Sequence, residues 1–433
     1  MILVSRIAAA LIVTAAVATP SCAIAQAKVP FPPMDGFIER PAEHQALPLT
    51  RPSVAETVSR ECQAPHPELA WAALPLTRRE VPLATMVGQL VMTSYGGDNA
   101  RDPQVLEATQ AIARSEIGGV LAFRNNIASG ADIAAINALF AGANPDLPPL
   151  IALDQEGGRV ARMRSRDGVP RIPSAARVGQ RSLTAAVDAY TAMARALSSA
   201  GFNVNFGPVI DLDTNPNNPI IGGVKRSYGD DPTKVTRFGR AFVNAHKDAD
   251  MLTALKHFPG HGSSVGNSHT GPVNITETWA RRELSPFAAL TGRNGADMVM
   301  VGHLLLDAID PGLPTSLSPN AINGLLRDAL CFSGLVVSDD LSMGAIAYRW
   351  SIAQAGELFI AAGGDIIVFS GDPDERAATV KALTQRIVER ANTDRDFSDK
   401  IRWAYARVVH QKLDLAKARQ REKPGPDVVA FAH

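Results

Sequence analysis

The sequence predicts one α/β domain of the (β/α)8, or TIM-barrel, class. Eight short apolar runs recur along the chain, and most are followed by Gly, Asp, His or Asn and then by a segment able to form a helix. These units cover about 290 residues, a length that suits eight strand–helix repeats closing into a barrel. The runs lie at residues 89–93, 120–123, 150–153, 202–206, 252–255, 298–301, 335–337 and 366–369.

An open, doubly wound sheet is the alternative, since it also alternates strands with helices. Helical patterns at 185–200 and 377–390 fill two of the intervals between or after the runs. Apolar residues at helical spacing over 398–419 predict a closing helix. We therefore assign the barrel to 83–372 and C-terminal helices with a tail to 373–433, which leaves no room for a second large domain.

The first 25 residues have the pattern of a signal peptide. Arg6 precedes an apolar run at 7–18, and the small residues at 23–25 suit a cleavage site. The run is shorter than the roughly 20 residues of a membrane-spanning helix. We expect an exported, periplasmic protein without a stable membrane span after cleavage; a permanent anchor and a lipoprotein formed through Cys22 are the alternatives.

A proline-rich N-terminal arm is predicted at 26–82. Residues 28–82 contain ten of the 30 prolines and few periodic apolar runs. After signal cleavage two cysteines remain, Cys62 and Cys331. In an oxidising compartment they could form a disulfide between the arm and the barrel, or remain two buried thiols.

The charge balance bears on the kind of partner. The 43 basic and 43 acidic side chains give a formal net charge of zero. This argues against a nucleic-acid partner, which would select a basic surface. We expect a monomer that binds a small ligand.

Unusual polar residues occur where the predicted strands end. In a barrel the carboxyl ends of all strands meet at one face, so these side chains should converge on one pocket. They are Asp154, Lys256, His257, His303, Asp339 and Asp340. The sequence therefore predicts a functional site at that face.

The segment 256–269, KHFPGHGSSVGNSH, is predicted to be a loop that folds over a ligand, because its glycines permit unusual backbone conformations. A metal site formed by His257, His261 and His269 has to be considered. His257 and His261 are four positions apart, but they lie in a Pro-Gly loop, so this spacing does not put the two rings on one helical face. We therefore expect no metal and no cofactor.

Five segments in the predicted barrel are rich in glycine and charged residues. They are DQEGGRVARM (154–163), NVNFGPVIDLD (203–213), KRSYGDDP (225–232), KHFPGHGSSVGNSH (256–269) and GLVVSDDLSMGAI (334–346). Together these segments resemble glycoside hydrolase family 3. Within that family they are similar to single-domain β-N-acetylglucosaminidases of peptidoglycan recycling, in order from about residue 82 to 372. The resemblance implies an exo-acting enzyme that releases terminal β-linked N-acetylglucosamine from a saccharide or muropeptide, with retention of configuration.

The resemblance also implies roles for particular residues. Asp339 matches the nucleophile and His269 the general acid and base. The residues that match sugar-binding positions are Asp154, Arg162, Arg226, Lys256 and His257. Asn267 departs from the pattern, because the subgroup usually has an aspartate there, paired with the catalytic histidine.

The chemistry suits these residues. A retaining glycosidase needs a carboxylate that attacks the anomeric carbon and a second group that protonates the leaving oxygen and later activates water. We expect Asp339 to stay ionised beside Lys256 or an arginine, and an imidazole to carry the proton near neutral pH. Asp340 should be oriented by backbone donors rather than react.

Other interpretations remain open. Arg226 and Asp231 could form a structural ion pair, and Asp211 and Asp213 are left out of the site as residues that order loops. Because of Asn267, the chain could be a catalytically weakened sugar-binding protein. A β-glucosidase, or a glycosyl phosphorylase or transferase of the same family, is a further alternative.

Overall fold

The computed structural model describes residues 81–292 and 295–421, and for the last two of these the backbone alone. The predicted signal peptide, Cys62 and nearly all of the predicted arm lie outside the described residues. The signal peptide, the arm and the disulfide therefore stay predictions.

Eight parallel strands form the barrel. They are β1 (Val91–Ser94), β2 (Gly119–Ala122), β3 (Leu150–Leu153), β4 (Val204–Asn205), β5 (Leu252–Phe258), β6 (Met298–Val301), β7 (Leu335–Ser338) and β8 (Ile367–Phe369). Each of the eight predicted runs contains or overlaps one of them. The longest difference is at β5, which continues through Lys256 and His257 rather than ending before them.

The strand order identifies the barrel. Strands β1 to β7 pair in chain order, and β1 also pairs with β8. A parallel bridge between Val337 and Ile366 joins β7 to β8 and completes the ring. This confirms the predicted barrel and excludes the open doubly wound sheet, whose edge strands would not meet.

Helices surround the strands. The α-helices are Leu83–Gln89, Pro103–Ala113, Gly130–Ala143, Ala175–Val178, Leu183–Ser199, Pro232–Lys247, Ser285–Leu290, Gly344–Ala347, Ile352–Ala361, Arg376–Ala391 and Arg395–Arg421, and Asn320–Ala329 is π-helical. The helices predicted at 185–200, 377–390 and 398–419 are among them, with ends within three residues. No helix in the described ranges is long and apolar enough to cross a membrane.

Local sequence determines where one of these helices begins. Asp231 is the N-cap of Pro232–Lys247, and its carboxylate accepts from the backbone N–H groups of Thr233 and Lys234. Proline at the first helical position needs no hydrogen-bond partner for its nitrogen. Asp231 is thus a cap, and the proposed ion pair between Arg226 and Asp231 was wrong.

Short secondary elements shape the carboxyl face of the barrel. Strands Gln155–Gly157 and Val160–Ala161 form an antiparallel hairpin directly after β3. Strands Val273–Asn274 and Leu304–Leu305 pair in parallel after β5 and β6. The 3-10 turns are Arg124–Asn126, Ser165–Asp167, Arg281–Leu284, Thr315–Leu317 and Pro373–Glu375.

The C-terminal helix attaches to the barrel through a buried lysine. The Lys412 ammonium donates to Gln89 Oε1 and to the carbonyl oxygen of Gly118, both at 2.7 Å. Its side chain is buried. Burial lowers the pKa of Lys412 to about 7, because the charged form loses its hydration.

We predict a pH-dependent contribution of Lys412 to stability. Between about pH 7 and the ordinary lysine pKa of about 10.4, the unfolded chain binds more protons than the folded one, so stability rises with pH in this window. The free energy of unfolding of wild type relative to Lys412→Met should therefore increase by about 2 kcal/mol from pH 6.5 to 9. Urea denaturation at both pH values measures it; a constant difference would contradict the prediction.

Candidate active site

A cavity of about 640 Å³ opens at the carboxyl ends of the strands. All eight residues predicted for the site line it, namely Asp154, Arg162, Arg226, Lys256, His257, Asn267, His269 and Asp339. A cavity of about 570 Å³ between the outer helices contains none of them. We consider the first cavity the candidate active site because charged groups from several strands converge there.

Five charged side chains form a connected network in this cavity. The Lys256 ammonium lies 2.8 Å from both Asp154 Oδ1 and Glu156 Oε1. Arg162 donates to Asp154 Oδ2 at 3.0 Å. Arg226 binds Glu156 through two hydrogen bonds, from Nε at 2.8 Å and from Nη2 at 2.7 Å. The network thus brings together four of the five predicted sugar-binding residues.

The ion pairs keep these groups charged. Burial by itself would raise the pKa of both carboxyls, but the neighbouring cations outweigh it. Lys256 and Arg162 hold the pKa of Asp154 well below its usual range. Arg226 and Lys256 lower the pKa of Glu156 to about 2. The network therefore stays ionised at any pH at which the protein is expected to work.

Glu156 is the residue that the sequence analysis missed. It lies two positions after Asp154 in an extended segment, so both side chains point to the same side of the chain. That spacing was visible in the sequence. Glu156 is also the partner of Arg226, whereas the sequence had suggested Asp231 for this role.

Asp339 lies directly after β7. Its backbone N–H donates to the carbonyl of Val301 in β6, and its Oδ1 accepts from the N–H of Asp340 at 2.8 Å. Burial would raise the pKa of Asp339, but positive charge on His257 and His303 and the Asp340 N–H outweigh burial and lower it. The expectation that Lys256 or an arginine would be its partner was wrong, because those cations bind Asp154 and Glu156.

Asp340 is held by donors on the neighbouring loop. Its Oδ1 accepts from the backbone N–H groups of Ser342 at 2.8 Å and Ser370 at 2.9 Å. Its Oδ2 accepts from the Ser370 hydroxyl. These bonds fit the expectation that Asp340 is oriented rather than reactive.

Asn267 fixes the ring of His269. Its Oδ1 accepts from the His269 backbone N–H at 3.0 Å and lies 2.9 Å from His269 Nδ1. An amide oxygen can only accept hydrogen bonds, so the ring must donate to it from Nδ1, which leaves Nε2 as the basic nitrogen. Burial lowers the pKa of His269, a change that the charge of Asp339 opposes only partly.

The loop carrying His269 is bonded to the segment that follows Asp339. Gly344 donates to the carbonyl of His269, and Ala345 to that of Ser268, both at 3.0 Å. At the other end of the loop, a Cβ on Gly262 would lie 1.6 Å from the Leu212 carbonyl oxygen. Only glycine allows this approach, so both ends of the loop are constrained by close backbone contacts.

Two other histidines grouped by the sequence have structural partners instead. His261 is buried between the hydroxyls of Ser264 and Ser268, at 2.7 and 3.1 Å. His303 contacts the Ser316 hydroxyl at 2.7 Å and the Asp340 carbonyl at 3.0 Å. Neither is among the residues lining the cavity. In the described part of the chain, no group of three His, Cys, Asp or Glu side chains could hold a metal ion.

We predict that Glu156→Gln is strongly destabilising. The substitution leaves Arg226, whose side chain is only 11% exposed, without its anionic partner, and loss of one partner from a buried pair typically costs about 3–5 kcal/mol. Glu116→Gln is the matched control, because the Arg114–Glu116 pair is exposed and such pairs contribute little. Urea denaturation of both variants tests this; equal effects would contradict it.

Comparisons with known proteins indicate the family of this chain. The Glycosyl hydrolase family 3 N terminal domain matches residues 83–408. The chain is 31% identical to Beta-hexosaminidase A of Pseudoalteromonas piscicida, over 79% of this chain and 63% of that protein.

Two solved structures are similar. A family 3 beta-N-acetylglucosaminidase from Paenibacillus sp. str. FPU-7 has a TM-score of 0.70 and 32% identity, over 81% of this chain and 65% of that one. The Beta-N-acetylhexosaminidase from Beutenbergia cavernae DSM 12333 has a TM-score of 0.68 and 32% identity, and the match covers 77% of this chain and 99% of that one. The chain thus spans less than two thirds of the first two relatives and nearly all of the third. It belongs to glycosyl hydrolase family 3.

Proposed function

We propose that this protein is a β-N-acetylhexosaminidase that releases terminal β-linked N-acetylglucosamine with retention of configuration. The observation that carries the proposal is that His269 and Asp339 line one cavity, from two loops joined by backbone hydrogen bonds. The names of the relatives support the acetamido sugar. A nucleophile and a proton donor facing one sugar are what a retaining mechanism requires.

In the first step the Asp339 carboxylate attacks the anomeric carbon. The bond from that carbon to the leaving oxygen breaks, and its electron pair stays on the oxygen. Protonated His269 donates its Nε2 proton there, so a neutral alcohol leaves and a glycosyl ester of Asp339 remains. The lowered pKa of Asp339 supports its role as an ionised nucleophile.

In the second step a water molecule attacks the anomeric carbon of the ester. Neutral His269 accepts a proton from that water at Nε2, and the carbon–oxygen bond to Asp339 breaks. The sugar is released with its original β configuration, because two inversions have occurred. The Nδ1 hydrogen bond to Asn267 keeps Nε2 facing the reaction in both steps.

The charged network supports binding of the sugar hydroxyls. Lysine and arginine donors, with carboxylate acceptors beside them, can form charge-assisted hydrogen bonds with hydroxyl groups. Asp154, Arg162, Arg226, Lys256 and His257 keep the binding roles that the resemblance implies. Glu156 joins them as the group that holds Arg226 and Lys256.

The proposed natural substrates are peptidoglycan fragments, and the proposed location is the periplasm, with the protein acting as a monomer. One observation supports an acidic aglycone. Arg159 lines the cavity from the exposed turn of the hairpin and has no hydrogen-bond or ion-pair partner among the described residues. A carboxylate on a muropeptide could bind it.

A sugar-binding protein without chemistry is the second candidate, and Asn267 favours it. An amide orients the ring but supplies no negative charge to stabilise the imidazolium, so less of His269 is protonated and able to act as the acid near neutral pH. This candidate predicts sugar binding without turnover.

We predict hydrolysis of nitrophenyl β-N-acetylglucosaminide in preference to the β-glucoside, with the β-anomer released first in an NMR time course. Asp339→Asn should lower kcat by at least about a thousandfold, since it removes the nucleophile. Its thermal unfolding should stay close to that of wild type. Preference for the glucoside would reject the acetamido assignment, and turnover retained in Asp339→Asn would reject the nucleophile.

We predict that Asn267→Asp moves the alkaline limb of the pH profile. Glycosylation needs protonated His269, so kcat/KM falls as the pH rises through the pKa of this histidine, which burial lowers. A carboxylate at 267 raises that pKa and should move the limb to higher pH by about one unit. An unchanged limb would argue against His269 as the acid.

A further inference from the structure

The buried carboxylate of Asp211 contacts His257, one of the residues that line the cavity. Asp211, which the sequence analysis left out of the site, is fully buried at 0% exposure. Its Oδ2 lies 2.7 Å from His257 Nδ1. Its two oxygens also accept from the backbone N–H of His257 at 3.1 and 3.2 Å, and Oδ1 accepts from that of His261 at 2.8 Å.

These contacts determine the tautomer of His257. Burial would raise the pKa of Asp211, but the charge of His257 and its hydrogen bonds outweigh burial and lower it. An ionised carboxylate can only accept hydrogen bonds, so His257 Nδ1 must carry a proton and donate it to this contact. The ring nitrogen left for the cavity is Nε2, which has no hydrogen-bond partner among the described residues.

We propose that Asp211 is a positioning residue that holds the His257 ring with Nδ1–H toward the carboxylate and Nε2 toward the cavity. In this orientation Nε2 faces the cavity, and His257 is one of the groups whose positive charge lowers the pKa of Asp339. The inference rests on the proposed function, because it assigns a role to this charge in keeping the nucleophile ionised. Asp211 acts through His257 and does not itself contact the substrate.

Several groups interact electrostatically with His257 and Asp339. Those facing His257 are Asp211, His261, His269, His303 and Asp339. Those that lower the pKa of Asp339 are His257, His303, His269 and the Asp340 N–H. Of these four groups, His257 contributes most to lowering the pKa of Asp339, so the effect of its charge should be visible in the pH profile.

The variant Asp211→Asn reverses the polarity of one contact while keeping the size of the side chain. Its amide oxygen can still accept from the backbone N–H groups of His257 and His261. The amide NH2 then faces His257 Nδ1 and donates to it. The ring proton must move to Nε2, so the nitrogen that faces the cavity becomes a hydrogen-bond donor.

The experiment has two measurements on the full chain. Long-range 15N–1H NMR correlations report which ring nitrogen of His257 carries the proton, in the absence of any substrate. The pH profile of kcat/KM on nitrophenyl β-N-acetylglucosaminide reports the ionisation of Asp339. Asp213→Asn is the matched control, since it removes a charge two positions away and makes none of these contacts.

We expect the Nδ1–H form of His257 in wild type and the Nε2–H form in Asp211→Asn. The acid limb of the variant should move to higher pH by about one unit, because Asp339 loses nearby positive charge. Its kcat/KM at the optimum should fall at least about tenfold, as for loss of a charged hydrogen bond. His246, whose Nδ1 lies 2.9 Å from the Phe242 carbonyl, serves as a reference that does not change.

Three results would overturn the proposal: an Nε2–H ring in wild type, an acid limb unmoved in Asp211→Asn, or the same shift in Asp213→Asn. If Asp211→Asn does not fold, the tautomer of His257 in wild type still tests the proposal. A wild type with the expected tautomer but no hydrolysis would instead overturn the proposed function.

Discussion

The cavity depends on compensation of buried charge. Lys256 is only 3% exposed, and an ammonium so far from water is tolerated because two carboxylates lie 2.8 Å from it. Glu156 in turn neutralises Arg226, and Asp154 neutralises Arg162. Removing Asp154 leaves Arg162 without its carboxylate, and removing Glu156 does the same to Arg226, so the shape of the cavity and its charge state are determined together. The cost of forming the network is met when the protein folds, before any ligand arrives.

Much of the fold could be predicted because the barrel places its signals close together in sequence. Each strand is short, buried on both sides, and therefore a nearly continuous apolar run such as 298–301. The polar residues that follow β3 and β7 mark the functional face. The order of the strands is not encoded locally, however, and only the β1–β8 pairing and the Val337–Ile366 bridge distinguish a closed barrel from an open sheet.

The candidate site was predicted in its members but not in its pairings. Residues 154, 226 and 256 are far apart in sequence, and nothing local says which cation faces which carboxylate. The cations predicted beside Asp339 were therefore wrong. Asp231 was considered as an ion-pair partner of Arg226, although it caps a helix. Asp211 was left out of the site as a residue that orders loops, and its partners, the backbone and ring of His257, lie 46 positions later in the chain. Such contacts exist only after the strands have assembled.

The two backbone hydrogen bonds from Gly344 and Ala345 to the His269 loop have a mechanical consequence. If the loop swings away to admit a ligand, these bonds must break, or the start of helix Gly344–Ala347 must travel with it. In the second case displacement of the imidazole pulls on the chain only five residues beyond Asp339. Opening of the cavity and displacement of the carboxylate would then be coupled in one motion.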